Sequence, residues 1–364
     1  MSVRWIALLV AALAASGCVS LADRIVEPHS RTLLSERNGG QFERTLGVTH
    51  ATWRTPGDVT LAYRVIPAGT RAMQYAFARG MRGYSFNFSA DMTTANLAPA
   101  PPRRGTIVYL HGWEMDGSSM LAWALALSDR GYDGIAVDLR NYGGSSRAPA
   151  GFGPREAGDV IALLDALRTR GTLRQPVYLF GVSYGAATAL FAESGLRGHV
   201  AGIVAMEPYA NAADAVRTLV PGMLAMPVHG IGERMASTWA RRRYTPAATE
   251  QAITEADRRL GIDLATIDLH APLAQSRTCT LLLHGARDTL IPVAASRSLA
   301  STAPQVHYSE LPLETHMTLP LRVDWLADPL AKWFTDAGTG RCGQLVLPPD
   351  PAGRGPAATQ AAAR

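Results

Sequence analysis

The residues best suited to chemistry lie in the pentapeptide Gly181-Val182-Ser183-Tyr184-Gly185. It follows an apolar, aromatic run at 177–180 and precedes a run of good helix formers at 186–193, which predicts a sharp strand-to-helix turn. A serine at the centre of such a turn is strained and exposes its hydroxyl, and the flanking glycines let neighbouring elements approach closely. The pattern indicates a nucleophile that attacks a carbonyl carbon; the alternative is a plain structural turn.

A serine hydroxyl needs a base to accept its proton and an acid to orient that base, and candidates for both follow Ser183 in the chain. Asp288 comes just after an apolar segment that ends in glycine, and His316 lies between the last predicted strand and the last predicted helix. Catalytic groups of open α/β sheets gather beyond the carboxyl ends of strands. We therefore assign Asp288 as the acid and His316 as the base. Two reserve acids and two competing bases are also present: Glu207, Asp214, His270 and His284.

An attacked carbonyl also needs donors for its developing negative oxygen. The tripeptide His111-Gly112-Trp113 follows the predicted strand at 106–110. We expect the backbone N–H of Trp113 to act there together with that of Tyr184, the residue after the nucleophile. The alternative for His-Gly-Trp is a simple strand-to-loop turn. Asp138, after the next strand, is expected to fix backbone amides rather than to react.

The elements that must position these groups alternate between strand-like and helix-like segments, the pattern of a mostly parallel sheet with helices on both faces. Aromatic residues that alternate on either side of Arg79-Gly80 predict an added hairpin, with a short helix as the alternative. Between the strand that ends near residue 206 and the strand at 280–283, about 211–269 is too long for a simple crossover. We expect an inserted helical cap there, apolar enough to line a pocket.

Together these motifs resemble the α/β-hydrolase fold of serine hydrolases, the branch that includes esterases, lipases, serine aminopeptidase-like and monoglyceride-lipase-like enzymes. The resemblance covers about residues 52–335 and rests on the serine turn, the His-Gly turn, Asp-x-x-x-x-Gly-x-Ser at 138–145 and Leu-x-His-Gly-x-x-Asp at 282–288. It implies the fold, the triad Ser183, Asp288 and His316, and no cofactor. Neither His-Glu-x-x-His nor Cys-x-x-Cys occurs in the sequence, so no metal site is expected. The chain departs from the family at Asn141, where many members have glycine, and before His316, where a glycine is common.

The resemblance makes acyl transfer the expected reaction, with a small-molecule or lipid ester carrying an apolar part as the expected substrate. Amides use the same machinery, so a peptidase is an alternative. A third reading is a binding protein on a hydrolase scaffold. The chain is 47% hydrophobic with a net charge of +5, but its arginines are dispersed, so no nucleic-acid partner is expected.

The amino terminus indicates export. Residues 1–17 carry one early arginine and an apolar stretch too short to span a membrane, followed by small residues and Cys18. This resembles a bacterial lipoprotein signal, which implies lipidation of Cys18 and anchoring to a membrane of the cell envelope; the alternative is an ordinary cleaved signal. In an exported protein, Cys279 and Cys342 form a possible disulfide, with two buried reduced thiols as the alternative.

The remaining boundaries follow from composition. Residues 18–43 are polar and mixed, which predicts a tether or amino-terminal arm. Residues 44–343 are expected to form the hydrolase domain, and the Pro- and Ala-rich residues 344–364 a disordered tail.

Overall fold

An eight-stranded sheet with the order β1-β2-β6-β5-β7-β8-β9-β10 forms the centre of the molecule. The computed structural model describes residues 20–30, 36–80, 83–90, 101–226, 228 and 230–353. The strands β1 and β2 are antiparallel to their neighbours, whereas β6, β5, β7, β8, β9 and β10 run parallel. The strands are β1 Thr49–Arg54, β2 Thr60–Ile66, β3 Met73–Gly80, β4 Gly83–Ala90, β5 Gly105–Leu110, β6 Tyr132–Val137, β7 Val177–Val182, β8 Gly202–Met206, β9 Cys279–Gly285 and β10 Val306–Leu311.

Helices cover both faces of this sheet. They are α1 Leu21–Val26, α2 Glu36–Thr45, α3 Leu121–Ser128, α4 Pro154–Thr169, α5 Tyr184–Ala192, α6 Ala212–Ala225, α7 Ile231–Arg243, α8 Pro246–Leu260, α9 His270–Gln275, α10 Ala294–Ala300 and α11 Val323–Gly338. The α/β-hydrolase fold expected from the motifs is therefore confirmed.

The strand sequences explain why both faces are covered. Successive side chains of a strand point to opposite faces, and in β5 Val108 and Leu110 pack with α4 and α5, whereas Ile107 and Tyr109 pack with α3 and α11. Each central strand is apolar on both sides, so a helix layer is needed on each face to remove these side chains from water.

The helical insertion and the added hairpin are both found. The helices α6, α7, α8 and α9 separate β8 from β9, and β3 pairs with β4 in a separate two-stranded sheet. The strand β1 was not expected, because its alternating residues are mostly exposed or half-buried and carry little apolar signal.

The segment 18–43, expected to be a tether or an amino-terminal arm, contains the helix α1, which packs on the core instead of standing apart from it. Ala22, Ile25 and Val26 are buried in the same core as Ile253 and Ala256 of α8. Ser20 caps the helix, and Asp23 pairs with Arg259 at 2.7 Å. The apolar residues of α1 lie one turn apart, and this spacing is enough for the short helix to pack on the apolar residues of α8. Residues 1–17 and Cys18 lie outside the described residues.

The expectation of a disordered tail at 344–364 is wrong for residues 344–353. Leu345 is buried in the core beside α11, and the indole of Trp325 donates a hydrogen bond to the carbonyl of Pro348. Asp350 pairs with the buried guanidinium of Arg322. The local composition predicts disorder because the residues that hold this segment lie elsewhere in the sequence. Residues 354–364 lie outside the described part of the chain.

A disulfide joins Cys279, at the start of β9, to Cys342, beyond α11. The two Cα atoms lie 5.4 Å apart, within the usual range for such a bond. It ties the carboxyl-terminal segment to the end of the sheet opposite the loops that carry Ser183, Asp288 and His316. Among the residues described, no helix combines the length and apolarity needed to cross a bilayer.

Candidate active site

Ser183 lies in the sharp turn that the sequence predicted, between the end of β7 and the start of α5. Its φ of 52° is in the left-handed region, which non-glycine residues adopt at a cost. A Cβ atom at Gly181 would lie 2.2 Å from the carbonyl oxygen of Gly185, and one at Gly185 would lie 2.1 Å from that of Leu110. Only glycine fits at either position, so the turn can hold α5 tightly against β5 and present Ser183.

The structure brings Ser183, His316 and Asp288 together in one line of hydrogen bonds. The Nε2 atom of His316 is 3.0 Å from Oγ of Ser183, and its Nδ1 atom is 2.6 Å from Oδ2 of Asp288. Because β7, β9 and β10 are parallel neighbours or near neighbours, the loops after them meet at one edge of the sheet. In this arrangement the imidazole can take a proton from the serine while the carboxylate stabilises the imidazolium.

Asp288 is fixed by its own loop. Its Oδ1 atom accepts the backbone N–H groups of Leu290 and Ile291 at 2.8 and 2.9 Å, which leaves Oδ2 for His316. Burial would raise the pKa of this carboxyl, but the positive charge that His316 can carry and a hydrogen bond from His284 lower the pKa well below its ordinary value. Asp288 is therefore a carboxylate at neutral pH.

The two competing histidines occupy other positions. His284 is fully buried, with Nε2 3.1 Å from Oδ2 of Asp288 and Nδ1 2.7 Å from Oγ of Ser296. His270 pairs with Asp268 and contacts Ser298. His284 therefore contacts the carboxylate of Asp288. The hydrogen bond to Ser183 is made by His316.

The two reserve acids lie in different environments. Asp214 is exposed in the first turn of α6 and pairs with Arg217 at 2.9 Å. Glu207 is fully buried just after β8, and its Oε2 atom lies 3.6 Å from Nδ1 of His316. Burial and the nearby charge of Asp288 raise the pKa of Glu207 well above its ordinary value. The neutral form of the Glu207 carboxyl is thus favoured beside the Asp288–His316 pair.

The residues expected to stabilise a negative oxygen flank Ser183. Trp113, Ser183 and Tyr184 line one pocket, and a Cβ atom at Gly112 would lie 3.7 Å from Cβ of Ser183. Tyr184 opens α5, and the first N–H groups of a helix have no carbonyl partner within it. The N–H of Ser183 itself donates to the carbonyl of Met206 at 2.8 Å.

The loop after β6 is structural, as expected. Asp138 accepts the backbone N–H groups of Gly117 and Gly144 at 2.7 and 2.9 Å and pairs with Arg64. Asn141, in the same loop, has a φ of 76°. Asparagine tolerates this left-handed region better than most residues do.

The pocket that Ser183 lines is apolar and opens to solvent. The inserted helix α6 supplies much of its wall, through Val216, Leu219, Val220 and Met223. Aromatic side chains supply another part: Trp113, Phe152, Tyr184, Tyr209 and Tyr244. Such a pocket can hold an apolar group next to the serine hydroxyl.

The short helix α1 forms another part of this wall. Leu21, Arg24 and Ile25 line the pocket, and Arg24 pairs with Glu114 at 3.3 Å. Sequence reasoning missed these residues because it assigned them to a tether. The signal that could have found them is the apolar spacing of Leu21, Ala22, Ile25 and Val26.

One group of side chains has the composition of a metal site. Glu207, Asp288 and His316 place potential ligand atoms within 4.8 Å of one another. The Nδ1 atom of His316 is engaged by Asp288, and these are the same atoms that align the histidine with Ser183. Among the described residues, this group therefore belongs to the hydrogen-bonded arrangement of Ser183, His316 and Asp288 and not to a separate metal site.

Comparison with known proteins gives a family and a set of structural neighbours. The model of a family described as "Alpha/beta hydrolase family" matches residues 107–329. An esterase of Pyrococcus furiosus is 15% identical over 86% of this chain and 96% of its own, with a TM-score of 0.55. Comparison with curated proteins gives no match.

Two further neighbours have similar scores. A bacterial membrane phospholipase A, described as a virulence factor, is 17% identical over 92% of this chain and 97% of its own, with a TM-score of 0.52. A thermophilic esterase of Thermogutta terrifontis is 19% identical over 80% and 99%, with a TM-score of 0.50. At these sequence identities the likeness shows the fold alone.

Proposed function

The chain belongs to the alpha/beta hydrolase family, and from this premise we propose that it is a serine hydrolase that cleaves carboxylic esters with an apolar acyl or alcohol part. One observation carries the proposal: Oγ of Ser183 lies 3.0 Å from His316, which lies 2.6 Å from Asp288. A serine with a base in reach, and a base with an orienting carboxylate, is the arrangement that activates a hydroxyl at neutral pH.

In the acylation step, Oγ of Ser183 attacks the ester carbonyl and Nε2 of His316 takes the hydroxyl proton. The carbonyl oxygen becomes negative and accepts hydrogen bonds from the N–H groups of Trp113 and Tyr184. As the tetrahedral intermediate collapses, His316 gives its proton to the leaving alcohol, and the acyl group remains on Ser183. Asp288 holds the imidazole and stabilises its positive charge throughout.

Deacylation repeats these steps with water. His316 takes a proton from water as the oxygen attacks the acyl carbon, and then returns a proton to Oγ of Ser183 as the carboxylic acid leaves. No redox step or group carrier is required.

The apolar wall of the pocket supports an ester substrate with an apolar portion. The walls contributed by α1 and α6 are mainly aliphatic, with the Arg24–Glu114 pair as the charged exception. Structural neighbours described as esterases and a phospholipase A are consistent with this class. Each buried methylene of an acyl chain adds about 0.8 kcal/mol of binding free energy.

The test is a labelling and turnover experiment on purified protein. A fluorophosphonate probe should label the protein and leave Ser183→Ala unlabelled, and p-nitrophenyl esters should be hydrolysed only by the unmodified protein. Faster turnover of aminoacyl or dipeptidyl amides than of esters would indicate a peptidase. Absence of labelling in a folded protein would leave a binding role and refute catalysis.

We further propose that the protein is exported and anchored to a membrane of the cell envelope through a lipid on Cys18. The disulfide between Cys279 and Cys342 supports an oxidising compartment. Cys18→Ala should move the protein from the membrane fraction to the soluble fraction, with Cys342→Ala as the control that leaves the fractionation unchanged. Retention of Cys18→Ala in the membrane would exclude lipidation at this residue as the anchor.

A further inference from the structure

The helix α7 exposes large apolar side chains on its outer face. Met235 is 70% exposed and Trp239, one turn later, is 41% exposed. Arg242, a further turn along the same stripe, is also exposed. Exposed Trp and Met at this spacing on one helix form a contiguous surface rather than scattered contacts.

The same helix is basic. Its sequence contains four arginines, Arg234, Arg241, Arg242 and Arg243, and one acidic residue, Glu233. The guanidinium of Arg243 lies over the ring of Trp239, 5.6 Å from its centre. Arg242 and Arg243 therefore lie beside the exposed apolar stripe, whereas the guanidinium of Arg241 donates to the carbonyl of Leu224 on α6.

The opposite face of α7 packs on the wall of the candidate active site. Ala240 of α7 and the following Tyr244 are buried against Val220 and Leu224 of α6. Leu21 of α1 packs on the same cluster. The exposed stripe is thus one helix layer outside the pocket and on the side where the described chain begins, two residues after Cys18.

These features match the chemistry of an anionic lipid surface. Tryptophan is favoured at the boundary between headgroups and acyl chains, methionine adds apolar area, and arginine pairs with lipid phosphate. We propose that the face of α7 formed by Met235, Trp239, Arg242 and Arg243, here called the α7 face, docks the protein onto an anionic phospholipid bilayer. A second copy of the chain would not satisfy the arginines, because the α7 face meets itself with like charge.

The test uses the full chain bound to phosphatidylcholine vesicles with and without phosphatidylglycerol. Acyl chains carrying bromine quench tryptophan that reaches the interface, and the difference between unmodified protein and Trp239→Phe isolates residue 239. We expect this component to be quenched in anionic vesicles and much less in zwitterionic ones. Hydrolysis is not measured, so failure here leaves the proposed function untouched.

The charge requirement has its own pair of variants. Each arginine near an anionic surface is worth about fivefold in binding, so Arg242→Gln with Arg243→Gln should lower the ratio of docked to undocked protein about 25-fold. The matched control is Arg258→Gln on α8, a different helix, whose side chain is 71% exposed and pairs with Glu255; it should leave the quenching unchanged.

Three results would overturn the proposal. The first is an unquenched Trp239 in both kinds of vesicle. The second is equal quenching in the arginine double variant and the unmodified protein, which would remove the recognition of anionic lipid. The third is loss of quenching of Trp239 by a water-soluble quencher when the protein concentration is raised in the absence of vesicles. This result would identify the α7 face as an interface between copies of the chain.

Discussion

Replacing Asp288 by serine tests whether Glu207 can act as a second carboxylate beside His316. The serine hydroxyl can still accept the N–H groups of Leu290 and Ile291, so the loop is preserved while the negative charge beside His316 is removed. In serine hydrolases the loss of the acid lowers kcat about 10,000-fold. This chain should lose less, because Glu207 lies 3.6 Å from Nδ1 of His316.

The expected loss follows from the two distances. Asp288 lies 2.6 Å from Nδ1 and Glu207 lies 3.6 Å from it. At an effective dielectric constant of about 20, the attraction between unit charges differs by about 2 kcal/mol between these separations, or about 20-fold in rate. Asp288→Ser should therefore retain far more activity than the removal of a sole acid allows, provided that Glu207 is ionised.

Ionisation of Glu207 sets the pH dependence of this variant. In the unmodified protein, burial and the charge of Asp288 raise the pKa of Glu207, which favours its neutral form. Removing Asp288 lowers that pKa, although burial still holds it above the ordinary value. The activity of Asp288→Ser should therefore increase with pH as Glu207 loses its proton.

The assay is kcat/KM for a p-nitrophenyl ester across pH, with Glu207→Gln as the matched control. Glutamine has the shape and neutral charge of the protonated carboxyl, so Glu207→Gln alone should remain close to the unmodified protein. Combined with Asp288→Ser, it should remove the rise with pH and bring the loss to about 10,000-fold. Equal activities of Asp288→Ser with and without Glu207→Gln would refute the reasoning.

Three other changes test the scaffold and the pocket. Cys342→Ser should lower the free energy of unfolding by about 4 kcal/mol, because the disulfide closes a loop with a sequence separation of 63 residues; an unchanged urea midpoint would contradict this. Gly185→Ala should lower both stability and kcat, since its Cβ would lie 2.1 Å from the Leu110 carbonyl oxygen, whereas Gly158→Ala, on an open position of α4, should not lower stability. Leu219→Trp should reduce kcat/KM for p-nitrophenyl octanoate relative to acetate about 10-fold by displacing about two methylene groups from the pocket; the same ratio change in the exposed control Val346→Trp would show that pocket volume is not the cause.

The sequence sufficed for the central sheet and for the residues that meet at its edge. The central strands are apolar on both faces and the serine turn carries glycines that no other residue can replace, so both leave a strong local signal. The order Ser183, Asp288, His316 then identified the side chains that the structure brings together, because the parallel strands before them end at one edge.

The ends of the chain could not be predicted in the same way. Neither α1 nor residues 344–353 has a core of its own; each is held by residues far away in the sequence, such as Arg259 for Asp23 and Arg322 for Asp350. Local composition therefore suggested a tether and a disordered tail. The raised pKa of Glu207 could not be predicted either, since it depends on burial and on the distance from Asp288.

The docking of α1 has a consequence for biosynthesis and for the preparation of the protein. Asp23 meets Arg259 across 236 positions, so the residues that leave the ribosome first can settle only after most of the chain has been made. A shortened form that starts at β1 keeps Ser183, Asp288 and His316 but lacks Leu21 and Ile25. Substrate preferences measured on such a truncated version would describe a wider, more accessible cleft than the one the intact polypeptide completes at the end of its folding.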